Sequence, residues 1–158
     1  MPSDLSSLLL ETIERELPHL REMPDERASI HPNGPVSWSP GQELGHLIDS
    51  AANNHVRFVR ATLEPEYRGP AYAQNDWVAI HGYREMPWPE IVDFWYSYNA
   101  LLARVLASIP AGCLDKKCFI AAGAPVTLAF LIEDYVLHMR HHIDHLLGRE
   151  IITAYPSA

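Results

Sequence analysis

No run of about 18 consecutive apolar residues occurs in this chain, so nothing in it reads as a transmembrane helix. The first residues, Met1-Pro2-Ser3-Asp4, carry neither the basic nor the apolar region of a signal peptide, and a cytoplasmic location is the expectation. Basic residues are scarce. Twelve Lys and Arg against 20 Asp and Glu give a formal charge of -8, which leaves a nucleic-acid or anionic-membrane partner without electrostatic support. There are only two cysteines, Cys113 and Cys118, at a spacing that fits neither a CxxC redox pair nor a zinc finger. They read as free thiols of a reducing compartment. A GxSxG nucleophile elbow and a glycine-rich phosphate loop are both missing, which removes two common routes to catalysis.

What is present is an ordinary globular composition, 47% apolar and 20% charged over 158 residues, consistent with one domain spanning 1–158. Apolar spacings of three and four predict four long helices and no strand. The first runs from Asp4 to about Met23, with Leu5, Leu8, Leu9, Ile13 and Leu17 as its stripe. A proline-rich loop follows, to Ser39. The second helix opens on Ser39-Pro40-Gly41-Gln42, a capping box with Pro at the first helical position, and extends to about Leu63. Tyr72 to Tyr83 predicts a short extra helix. The third long helix begins near Pro87 and ends before Pro110, and the fourth spans Thr127 to Leu147 between Thr127 and Gly148 as caps. Four amphipathic helices of this length imply an all-α four-helix bundle, a fold that builds metal sites from facing helices.

The densest chemistry lies in the fourth helix, His138-Met139-Arg140-His141-His142-Ile143-Asp144-His145. Neutral imidazole is the commonest protein metal ligand, and histidines four apart on a helix can share an ion. Two pairs have that spacing, His138 with His142 and His141 with His145, and His46 on the second helix offers a third ligand. Asp134, His138, His141 and His145 form one continuous side, whereas His142 is rotated by about 100° onto a neighbouring face that reads as solvent or interface. A three-histidine site keeps a position open for water or substrate, unlike a closed structural shell. Spacing alone does not choose between the two pairs.

Trp38-Ser39-Pro40-Gly41-Gln42-Glu43-Leu44-Gly45-His46-Leu47-Ile48-Asp49-Ser50, followed far downstream by His141-His142-Ile143-Asp144-His145, resembles the DinB/YfiT-like superfamily. Tyr72 to Trp77 and Asp134 to Arg140 look like its DinB-2 branch. The resemblance covers nearly the whole chain. It implies an up-down-down-up bundle and a site of one histidine from the second helix with an HxxxH pair from the last, carried over as His46, His141 and His145. It also implies zinc or nickel, dimerisation through bundle helices, and either thiol transfer with a low-molecular-weight thiol cofactor or hydrolysis.

The remaining candidates are assigned by position. Asp49 and Asn53, one and two turns beyond His46, are expected to line the pocket with Tyr72. Asp76 is a candidate general base and His138 a candidate proton shuttle. Asp134 is placed to orient a ligand ring. His19, His31, His55 and His81 lack partners at ligand spacing and read as surface or structural. The resulting expectation is a homodimeric metalloenzyme activating a thiol or water against a small electrophilic substrate, with thiol transfer slightly preferred. The competing expectation is a non-catalytic metal-binding module.

Overall fold

The computed structural model describes residues 2–155. Its long helices are α1 (Pro2–Glu22), α3 (Pro40–Leu63), α5 (Trp88–Ala107) and α6 (Leu128–Leu146). Two short helices join them, α2 (Asp25–Ala28) in the proline-rich loop and α4 (Gln74–His81) between α3 and α5. The capping box predicted from Ser39 is present: Ser39 Oγ accepts from the Gln42 N–H, and the Gln42 side chain accepts from the Ser39 N–H. Thr127 Oγ1 likewise caps α6 by accepting from the Phe130 N–H.

Helix directions follow from the connections. The Trp88 indole at the start of α5 donates to Leu20 O at the end of α1, and Ser6 Oγ at the other end of α1 donates to Ala103 O. Those two helices are therefore antiparallel. Strands β1 (Tyr67–Gly69) and β2 (Lys117–Ile120) follow the C-termini of α3 and α5 and pair in parallel, which puts both C-termini at one end. Strand β3 (Val126–Thr127) pairs antiparallel with β2 and turns the chain into α6 from that same end. The result is up-down-down-up, with α1 packed on α5 and α6, and α3 packed on α5 and α6.

This three-stranded sheet corrects the expectation of no strand. Its strands are two to four residues long, too short for alternation to register in the sequence. They are held by long-range contacts, including the Arg68 guanidinium 3.9 Å over the Phe119 ring. Beside them, Lys116 Nζ donates to Thr62 O and Glu64 O, closing the carbonyl end of α3 with a cation.

The core lies between the helices: Leu9, Ile13 and Leu20 of α1, Leu44, Leu47 and Phe58 of α3, Ile91, Trp95 and Leu102 of α5, and Leu128, Ile132 and Val136 of α6. No helix among the described residues is long and apolar enough to cross a membrane.

Candidate metal centre

By fixing the start of α3, the Ser39 cap fixes the phase at which Glu43 and His46 emerge. They lie three apart on one flank, both buried, and both meet α6. On α6, His138 and His142 stack one turn apart, with ring centroids 4.5 Å from each other. The His46 ring lies 5.0 Å from the first and 4.9 Å from the second. The Nε2 atoms of His46 and His138 are 3.2 Å apart, and one nitrogen from each of the three histidines falls within 4.8 Å of the others.

His141 and His145 lie outside this cluster, so the structure groups His46 with a different pair from the one the resemblance implies. One residue is about 100° of helix, so His141 is swung away from His142 and stacks near Tyr155 at 5.6 Å. His145 lies beyond the cluster and donates Nδ1–H to Glu43 at 2.8 Å. His142, read from sequence as solvent or interface, is instead half-buried inside the site. Two residues further along α6, Asp144 is buried and paired with Arg149 at 2.7 Å.

Glu43 lies behind the cluster. Its carboxylate accepts from His142 Nδ1 at 2.7 Å as well as from His145. Donation through Nδ1 fixes the tautomer of His142 and leaves Nε2 as its lone-pair atom. Trp38 covers the other side of His46, centroid to centroid 4.7 Å.

Burial, reinforced by the neighbouring His142, lowers the His46 pKa to about 3. Burial and the surrounding His142, His46 and His141 take His138 to about 2. Both imidazoles are thus neutral at neutral pH, the form in which a ring nitrogen can bind a metal. Tetrahedral zinc with Zn–N of about 2.0–2.1 Å separates its nitrogens by about 3.3 Å. The 3.2 Å spacing of His46 and His138 matches that value, and with a His142 nitrogen within 4.8 Å of both the donors are of the kind and grouping a divalent ion takes.

A cavity of about 230 Å³ opens beside His138, lined among others by Arg57, Tyr72, Asp134 and Tyr155. Asp134 Oδ1 is buried with no hydrogen-bond partner among the described residues, and burial raises the carboxyl pKa. Of the residues singled out from sequence, Tyr72 lines this cavity. Asp49 does not. It faces α4 and accepts from His81 and Tyr83. Asn53 donates to the Asp49 carbonyl and does not line the cavity either. Asp76 is exposed in the first turn of α4, where its charge complements the helix dipole, and it does not line the cavity. Sequence reasoning missed Glu43 as a site residue, although its place one turn before His46 was a usable signal. Tyr155 carried none, since it stands in a tail without periodicity.

Comparisons with known proteins identify the chain's relatives. The DinB superfamily model matches residues 8–146. A protein of Bacillus mycoides (strain KBAB4) named "Putative metal-dependent hydrolase" is 23% identical over 87% of this chain and 79% of its own. One of the same name from Bacillus cereus (strain ATCC 10987 / NRS 248) is 23% identical over the same shares. YfiT from Bacillus subtilis, described as "a probable metal-dependent hydrolase with an unusual four-helix bundle topology", superposes with a TM-score of 0.81 at 18% identity, covering 93% of this chain and 84% of that one. YfiT thus shares the bundle, and with the family model reaching into all four long helices the chain belongs to the DinB superfamily.

Proposed function

We propose that this protein is a divalent-metal-dependent hydrolase whose ion is held by His46, His138 and His142. The convergence of three imidazole nitrogens from two facing helices carries the reading, and the names of the relatives support it. Zinc or nickel suits an all-imidazole site and would supply Lewis-acid activation of water near neutral pH. The protein's own residues do the rest. Glu43 holds His142 in register. Asp134 Oδ1, unpartnered at the cavity wall, accepts a proton from the attacking water, and its raised pKa brings it nearer to the operating pH. Tyr72 and Tyr155, both kept protonated by burial, offer hydroxyls to a substrate oxygen.

Two observations separate this reading from the alternatives. Arg57 is the cavity's one Lys or Arg among the described lining residues, and its guanidinium donates to Pro70 O at 3.2 Å. That is a poor welcome for an acidic thiol cofactor and favours hydrolysis over thiol transfer. With His141 turned away and His145 engaged by Glu43, three protein ligands leave a coordination position open, which favours an enzyme over a closed structural site.

Metal content of protein purified without an affinity-metal column tests the proposal. About one ion per chain is expected, retained in His141→Ala and lost in His138→Ala and His142→Ala. The reverse pattern overturns the ligand set, and a wild type that takes up neither zinc nor nickel overturns the function. The loaded protein should hydrolyse an activated ester such as p-nitrophenyl acetate without added thiol, with kcat reduced in Asp134→Asn. A strict requirement for thiol would move the activity to thiol transfer.

A further inference from the structure

A second constellation of titratable groups lies on the neighbouring flank of α3, facing α4 and α5 rather than α6. Asp49 is 1% exposed. Its Oδ1 accepts from the Tyr83 hydroxyl at 2.7 Å and from His81 Nδ1 at 2.8 Å, and its Oδ2 is buried with no partner among the described residues. A buried carboxylate is costly unless its hydrogen bonds are complete. Here it is half-satisfied and is spent on orienting an imidazole whose side chain stays 43% exposed.

The arrangement is built from several elements. Gly45 is what lets Tyr83 reach Asp49: a Cβ there would lie 2.2 Å from the Tyr83 ring. The αL turn at Gly82 separates His81, at the end of α4, from Tyr83. A cavity of about 520 Å³ opens in front, walled by Trp77, Met86, Phe94 and Tyr98, with Asp49 and His81 as its inner polar groups and Glu90 on its wall. That volume is in the range of small-molecule sites. None of the three clustered histidines lines it.

We infer that this cavity is a second small-molecule site, for a neutral or cationic aromatic molecule carrying one hydrogen-bond donor, a phenol or an aryl amine. Its donor meets His81 Nε2. Donation of Nδ1–H to Asp49 leaves Nε2 as a lone-pair acceptor, and the aromatic walls take the ring by edge and face contacts. The carboxylates of Asp49 and Glu90 disfavour an anionic ligand.

Binding can be read without activity, from the indole N–H resonance of Trp77 in a two-dimensional NMR titration, assigned with Trp77→Phe. The probes are 4-ethylphenol, 4-ethylanisole, which lacks the donor, and 4-ethylbenzoate, which is anionic. Wild type should bind 4-ethylphenol saturably and about tenfold more tightly than either of the others, the worth of one good hydrogen bond. His81→Phe, which keeps the ring bulk, should erase the preference for phenol over anisole. Trp38, Trp88 and Trp95 report whether that variant stays folded. His138→Ala should bind 4-ethylphenol as wild type does, so failure of the metal reading would leave this result untouched. Absence of saturable binding, equal affinity for phenol and anisole, tighter binding of the benzoate, or a preference that survives in His81→Phe would each overturn the inference.

Discussion

In the proposed metal centre, Glu43 is a partner to the ligands rather than one of them. The residue is 4% exposed and accepts N–H bonds from His142 and His145, so one carboxylate sets the tautomer and aim of the His142 ring. Glu43→Gln keeps the shape but gives up the charge, and its amide has a single acceptor oxygen. Metal affinity should fall about 10- to 100-fold, the usual loss when such an outer partner is removed. Competition with a chromophoric chelator measures it, and a change within twofold would show that Glu43 only fills space. At this scale the sequence was partly legible. Histidine density announced the site, and helical spacing reduced the ligands on the last helix to two pairs. Choosing between the pairs required knowing which 100° sector of α6 faces α3. That sector is set by packing of the whole bundle, in which Ile132, Val136 and Ile143 turn inward and carry His138 and His142 toward His46.

At the scale of elements, α3 carries the most function per turn. Its start is a local device, and removing it has a local cost: Ser39→Ala should destabilise the protein by about 1 kcal/mol in urea unfolding. Gly45, six residues further on, is a packing device. Gly45→Ala sets a methyl against the Tyr83 ring, and overpacking of this kind costs about 1–3 kcal/mol. The penalty should shrink in a Tyr83→Ala background. If the two substitutions prove additive, the close approach is not what selects glycine. The long helices and both caps could be read from sequence because capping boxes and apolar stripes are local signals. The small sheet could not, because Tyr67–Gly69 and Lys117–Ile120 become strands only by meeting across some fifty residues. The dyad of Asp49 and His81 was hidden for the same reason, since its members are 32 positions apart and joined through α4.

For the whole molecule, burying neutral imidazoles couples folding to pH. His46 has a folded pKa of about 3 against the ordinary imidazole value of 6.5. Below pH 6.5 the unfolded chain takes a proton that folded His46 refuses, so stability from this residue is fully present above 6.5 and drains away as pH falls toward 3. At pH 5 the loss from His46 alone is about 2 kcal/mol, since that pH lies about one and a half pH units below 6.5 and each is worth about 1.4 kcal/mol. Asp49 works in the opposite direction. Burial raises its pKa, so its contribution is present below the ordinary aspartate value and declines as pH rises through the folded one. The two are separated by comparing chelator-treated wild type with His46→Phe in urea unfolding at pH 7 and pH 5. Asp49 is common to both proteins, so wild type should lose about 2 kcal/mol more than the variant on acidification. Restoring zinc should steepen the wild-type dependence, because an ion that binds only the folded, neutral site adds stability that protons compete away. Identical pH dependence in the two metal-free proteins would mean that His46 is not the buried, proton-free ligand on which the site is built.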